Sequence, residues 1–287
     1  MINVRDLRFR YPGADEDTLH GLDFDIAEKE IFGFLGPSGA GKSTTQKILI
    51  GLLKGYAGNV TVLDHEVSGW GQDYYEKLGV SFEMPNHYLK LTALENLEYF
   101  RSLYAGDTYE PLEVLDWVGL SHDAKKRVAE YSKGMKVRLN VARSIIHMPR
   151  VLFLDEPTNG LDPVNARRIM ELILALRDKG TTAFVTTHDM MVADRLCDRV
   201  AFITTGNIST VDSPESLKKQ YGKRTVVVEY AEDGSGPTSR EFSLDGLGEN
   251  LEFAELLRTA GRVETIHSQE TTLENVFIQV TGQELAE

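Results

Sequence analysis

"IFGFLGPSGAGKST", residues 31–44, joins a continuous apolar run to a glycine-rich turn and then to a helix start. The run reads as a strand buried on both faces. The turn, Gly36 to Thr44, satisfies the pattern G-x-x-x-x-G-K-[ST] at the junction where a phosphate-binding loop needs it. Gly36, Gly39 and Gly41 permit backbone angles and approaches that a Cβ would block. The loop Gly36, Pro37, Ser38, Gly39, Ala40 and Gly41 can therefore turn its free amides toward phosphate oxygens, while a helix from about Lys42 adds its positive end. Lys42 is expected on the β and γ phosphates of a nucleotide, the Ser43 hydroxyl on Mg²⁺, and Thr44 completes the set. Ile48, Leu49, Leu52 and Leu53 read as the inward stripe of that helix.

A phosphate cradle needs acids opposite it, and "VLFLDEP" (151–157) supplies them. Four apolar residues bury the strand and deliver Asp155 and Glu156 to its C-terminal end, the edge where ligands collect in an open parallel sheet. Asp155 is expected to hold Mg²⁺ through water, and Glu156 to polarise the attacking water. "VTTHDM" (185–190) brings His188 to the end of another buried strand. That position suits a γ-phosphate sensor keeping Glu156 and its water in line. The plainer alternatives are a solvated turn for the two acids and a packing role for the histidine.

Away from this centre, "INVRDLRFRY" (2–11) and "LHGLDFDIAEKE" (19–30) alternate apolar with polar residues around the turn "PGADED", which predicts antiparallel strands. Residues 91–148 carry i, i+3, i+4 apolar spacing and read as a helical insert, about 88–148. Strand and helix patterns then alternate to about residue 206, implying a parallel sheet with right-handed crossovers. Near Tyr221 the texture changes, and "EDGSGPTSRE" (232–241) reads as a loop between two strands. A small α+β domain over 221–287 is expected, with Thr271 and Glu274 as the capping box of a last helix whose apolar face is Leu273, Val276, Phe277 and Val280. The expected fold class is α/β: a P-loop NTPase with a RecA-like parallel core, an antiparallel β subdomain, a helical subdomain and that C-terminal domain.

Hydrophobic residues make up 41% of the 287 residues and charged ones 26%, ordinary values for a chain that folds. A formal charge of -13 argues against a general nucleic-acid binder, which needs clustered cations. The single cysteine, Cys197, leaves no internal disulfide and fits a reducing compartment. No stretch approaches the roughly 18 to 20 apolar residues of a membrane span, and the N-terminus lacks the features of a secretion signal. A cytoplasmic protein is expected.

A second small-residue turn, "YSKGM" (131–135), runs straight into a helix and offers Ser132 and Gly134 to another anion. Together with the phosphate loop, "VLFLDEP", "NGLDP" (159–163) and the histidine of "TTHD", it resembles the nucleotide-binding subunit of ABC (ATP-binding cassette) transporters over about residues 1–220. In that family the turn of one subunit closes on ATP held by a second. The resemblance thus implies a pair of ATP-binding subunits, a homodimer with ATP, in which Ser132, Lys133, Gly134 and Met135 meet the partner's nucleotide and Asp162 lies along the seam. It also implies that Tyr11 of "FRYPG" stacks on adenine, with a plain strand aromatic as the alternative. Where the family usually has glutamine, this chain has Glu83, a candidate third Mg²⁺ ligand beside Ser43 and Asp155. Lys133 and Met135 also depart from the family's glycine and glutamine; Lys133 either adds positive charge near the partner's phosphates or faces solvent.

These departures, with the ending "TTLENVFIQVTG" (271–282), are similar to the export-type branch associated with multidrug, antibiotic and bacteriocin efflux. The implied function is ATP hydrolysis that powers export through a separate membrane permease, with the subunit cytoplasmic and peripheral on the inner face of the membrane. The permease would meet "LKLTALEN" (89–96), with Tyr88, Leu89 and Tyr99 exposed for it. A soluble ABC-type ATPase acting on ribosomes or DNA is the rival reading.

Overall fold

The computed structural model describes residues 1–222, 225–231, 238–269 and 271–283. It divides into two compact units, Met1–Pro214 and Glu215–Gln283.

In the first unit, β1 (Ile2–Phe9) and β2 (Leu19–Ile26) pair antiparallel, as their alternation predicts. The alternation of β1 breaks once, where Arg5 and Asp6 are both exposed; Asp6 at φ +47° and the register shift there mark a bulge. β3 (Ile31–Leu35) is buried throughout and feeds α1 (Lys42–Leu49). β4 (Ala57–Val62) and β5 (His65–Glu66) complete the first sheet in the order β2-β1-β4-β5. β6 (Leu78–Ser81) precedes the helical insert: α2 (Ala93–Arg101), α3 (Pro111–Trp117) and α4 (Lys133–Ile145). The remainder alternates β7 (Val151–Asp155), α5 (Pro163–Asp178), β8 (Thr182–Thr187), α6 (Met190–Leu196), β9 (Arg199–Thr204) and β10 (Asn207–Asp212).

The central sheet runs β10-β9-β3-β8-β7-β6. Five strands are parallel; β10 turns back antiparallel on β9, an edge hairpin that the βα alternation did not predict. Phe24 of β2 stacks on Phe32 of β3 at 5.6 Å and nears Phe184 of β8 at 6.4 Å, so one aromatic cluster joins the two sheets. β3, β8, β7 and β6 are neighbours in that order, and their C-terminal ends share one edge. Leu52 corrects the expected inward stripe of α1: the helix ends at Leu49, and Leu52 is 52% exposed. Gly51, at φ +81°, turns the chain away just before it.

α7 (Pro214–Tyr221) leads into the second unit. There β11 (Thr225–Ala231) lies between β12 (Thr238–Ser243) and β13 (Arg262–Gln269), all antiparallel, with α8 (Leu251–Thr259) and α9 (Leu273–Thr281). Val226, Val228, Tyr230, Phe242 and Leu256 form its core. Of the predicted loop 232–241, residues 232–237 lie outside the described ones, and Thr238–Glu241 belongs to β12 instead. The last helix is capped one residue later than expected: the Thr272 hydroxyl accepts the Asn275 N–H at 3.2 Å. Adjacent threonines offer the same hydroxyl, and only one can occupy the junction. Leu273, Val276 and Phe277 are buried as predicted.

Candidate functional site

The loop after β3 passes so close to β9 that a Cβ on Gly36 would sit 2.0 Å from the Ile203 carbonyl oxygen. Only glycine fits. Gly41, at φ +109°, caps α1 without a side-chain bond, so no side chain of the cap competes for the first amides of the helix. Lys42 Nζ donates to the carbonyls of Gly36 (2.6 Å) and Pro37 (3.0 Å). Burial pushes its pKa down, against the opposing pull of Glu156, Asp155 and Glu83. Tyr11 packs edge-on against Phe9 at 4.9 Å, and its hydroxyl meets Thr44 Oγ1 at 3.1 Å.

The acids face this loop from the next strands. Ser43 Oγ donates to Asp155 Oδ2 at 3.4 Å, and Thr186 Oγ1 donates to Asp155 Oδ1. Glu156 leaves the strand at φ +48°, yet its N–H still bonds the Thr186 carbonyl at 3.0 Å. A non-glycine residue in the left-handed region costs about 1 kcal/mol or more, so the surrounding bonds must hold it. They do so from one strand end: Thr187 Oγ1 reaches Glu156 Oε2 at 3.0 Å, and the His188 N–H and Nδ1 reach Oε1 at 3.0 and 2.7 Å.

A cavity of about 300 Å³ collects these groups. Its walls are Ser38, Gly39, Gly41, Lys42, Ser43 and Thr44 of the loop, with Glu83, Asp155, Glu156 and His188 from the neighbouring strand ends. Ser43, Asp155 and Glu83 are hard oxygen donors of the kind Mg²⁺ takes. Among the described residues no three His, Cys, Asp or Glu side chains converge to cage a metal, so a cation here would share its shell with phosphate oxygens and water. Gly36, Pro37 and Ala40 are outside the lining, and Tyr11 connects to it through Thr44.

Ser132, Lys133, Gly134, Met135 and Asp162 do not line the cavity. Ser132 caps α4, its Oγ accepting the Met135 N–H at 3.2 Å. The Lys133 side chain lies over Gly160, and Gly134 backs onto Leu161, so the turn rests against the loop that follows Glu156. Asp162 caps α5 through the Val164 and Asn165 N–H groups, and hydrogen bonds from Asn165 hold its carboxyl below the usual range.

Four contributors escaped the sequence reading. Thr186 and Thr187 hold the acids. Buried Asn140 on α4 donates to Ser81 Oγ (2.9 Å) and the Phe82 carbonyl (2.8 Å), while Arg143 donates to Asn86 O and Asn140 Oδ1. These bonds brace the segment carrying Glu83. Asn140 and Ser144 are the buried polar residues in a helix stripe that is otherwise apolar, and an amide set among apolar neighbours is the signal that marks Asn140. Beside them an aromatic groove of about 500 Å³ opens, lined by Tyr75, Tyr88, Phe100, Tyr104 and Arg143 among others. Tyr88, Leu89 and Tyr99 stand 43–50% exposed near it.

The chain's likeness to known proteins matches this geometry. A family profile described as "ABC transporter" matches residues 19–159, and one described as "Fluoroquinolone efflux ABC transporter C-terminal domain" matches 224–270. A fluoroquinolones export ATP-binding protein of Mycobacterium tuberculosis is 56% identical over 285 residues, covering 99% of this chain and 94% of its own. A Nod factor export ATP-binding protein of Rhizobium johnstonii is 34% identical over 93% of this chain and 91% of its own. Among solved structures, a dimeric ATP-binding cassette in a post-hydrolysis state bound to ADP and Pi is 28% identical, with a TM-score of 0.68 over 74% of this chain and 98% of that one. In the described residues no helix is long and apolar enough to cross a membrane. From the phosphate loop to the last helix, the chain belongs to the family of ATP-binding subunits of ABC transporters.

Proposed function

We propose that this chain is the Mg²⁺-dependent, ATP-hydrolysing subunit of an exporter, working on the inner face of the membrane with a separate permease. The observation that carries it is the convergence of Lys42, Asp155, Glu156 and His188 on one cavity. Lys42 exchanges its two loop carbonyls for phosphate oxygens when ATP binds. Glu156 takes the proton of the attacking water, and His188 keeps that carboxylate in line. Ser43, Asp155 and Glu83 would hold Mg²⁺, which would supply neutralisation of phosphate charge. Tyr11 gives up its bond to Thr44 and covers the adenine.

A second copy of the chain completes this site. Ser132, Lys133, Gly134 and Met135 present the start of α4 elsewhere on the chain, and a second copy facing head-to-tail would bring that turn to the phosphates, with Asp162 along the seam. ATP then holds the pair together, and hydrolysis releases it. The permease docks at Tyr88, Leu89 and Tyr99. Residues 221–287 are assigned to an accessory domain that follows the 1–220 cassette in sequence. The 56% identity along nearly the whole chain and the C-terminal family match support fluoroquinolones as cargo. Affinity isolation from membranes tests this: a membrane protein should copurify and raise the ATPase rate, and fluoroquinolone efflux should vanish with Glu156→Gln. Copurification with ribosomes or DNA instead would refute it.

A further inference from the structure

β8 ends in two consecutive threonines, Thr186 and Thr187, both 0% exposed. Neighbouring strand residues point to opposite faces, so a Thr-Thr pair at a strand end can serve two different groups. Here each serves one acid. Asp155 stands directly opposite Thr186 in the parallel register, and the Thr186 hydroxyl holds Asp155 Oδ1 while Oδ2 is left to Ser43. The Thr187 hydroxyl accepts the Asp189 N–H at 3.0 Å and, because an ionised carboxylate can only accept, donates its own proton to Glu156 Oε2 at 3.0 Å. Glu156 Oε1 already receives two contacts from His188, so Oε2 keeps one lone pair uncommitted.

Neither threonine lines the nucleotide cavity, so each acts through the acid it holds. We propose that Thr186 and Thr187 are positioning residues: Thr187 fixes the Glu156 carboxylate with the free lone pair of Oε2 as the proton acceptor, and Thr186 fixes Asp155 with Oδ2 turned to Ser43. The proposal rests on the hydrolytic reading of Glu156. Its physical basis is the left-handed backbone at Glu156, which does not by itself dictate where the carboxylate goes. Thr187 supplies the only hydrogen bond to Oε2 among the described residues.

The test compares Thr187→Val, which keeps shape and loses the hydroxyl, with Thr187→Ser, which keeps the hydroxyl. Misplacing a reacting group by about 1 Å costs roughly a hundredfold, so Thr187→Val should lower kcat by about 10- to 100-fold with KM for ATP within about twofold. Thr187→Ser should recover at least about a third of the native kcat. Thr186→Val is read by equilibrium binding of a fluorescent ATP analogue against Mg²⁺ in the Glu156→Gln background. The Mg²⁺ midpoint should rise by about fivefold or more and return with Thr186→Ser. Equal losses in the Val and Ser variants would mean packing alone and overturn the proposal. Native kcat in Thr187→Val, with Glu156→Gln inactive, would also overturn it while leaving the hydrolytic reading intact. Turnover by Glu156→Gln would instead remove that reading. If Thr187→Val does not fold, Thr187→Ala replaces it with the same expectations.

Discussion

Acid should loosen the helical insert through two histidines. His87 Nε2 donates to the Lys136 carbonyl at 2.9 Å and His147 Nε2 to the Leu78 carbonyl at 2.8 Å, tying α4 to β6 and the segment after it. Each Nδ1 is buried without a hydrogen-bond partner among the described residues, so protonation has nowhere to place its second N–H. Burial pushes both imidazoles down to about 4, with the carbonyl bond acting in the opposite direction. In the unfolded chain they titrate near 6.5. Below that pH the unfolded state binds two protons that the folded state refuses until about pH 4, so stability falls as pH falls through this window. At pH 5.5 each histidine contributes a loss of about 1.4 kcal/mol relative to pH 7.5, about 3 kcal/mol together. Urea denaturation at both pH values, followed by tryptophan fluorescence, measures it. Glutamine keeps an N–H for the carbonyl and cannot titrate, so His87→Gln/His147→Gln should remove most of the difference, whatever its stability at pH 7.5. An undiminished difference in the double variant would refute the reasoning.

Gln46, on α1 and 1% exposed, leaves both amide atoms without a hydrogen-bond partner among the described residues; Gln46→Leu should raise stability by about 1–3 kcal/mol. A lower thermal midpoint would show that the amide has a partner. Glu83→Ala should raise the Mg²⁺ requirement of ATP hydrolysis by about tenfold, and unchanged Mg²⁺-dependent turnover and transport would end the metal role of this residue. Ser132→Ala should cost about 1 kcal/mol through loss of the α4 cap and also weaken nucleotide-dependent pairing; intact pairing would remove Ser132 from the composite site.

The parts legible in the sequence are those where one local requirement fixes the residue. The phosphate loop needs glycines at Gly36 and Gly41, and the structure shows a backbone carbonyl in the way at one and a left-handed φ at the other. The buried strand before Asp155 could only be apolar. What escaped depends on partners distant in sequence. Thr186 and Thr187 read as ordinary β-formers until the register sets them beside Asp155 and Glu156. Asn140 gains its role from Ser81 and Phe82, nearly sixty residues away. Leu52 failed because periodicity continues past the point where Gly51 ends the helix, and Thr271 because a neighbouring threonine can take the same position. β10 escaped because alternation of strands and helices does not announce an antiparallel edge.

The composite site is tested most directly by sedimentation of the Glu156→Gln variant with ATP. Stalled hydrolysis should leave a dimer whose two nucleotides stay bound, and adding Ser132→Ala should return it to monomer. A nucleotide-loaded Glu156→Gln variant that remains monomeric at every concentration, while the native chain hydrolyses at a rate per molecule independent of concentration, would contradict the account.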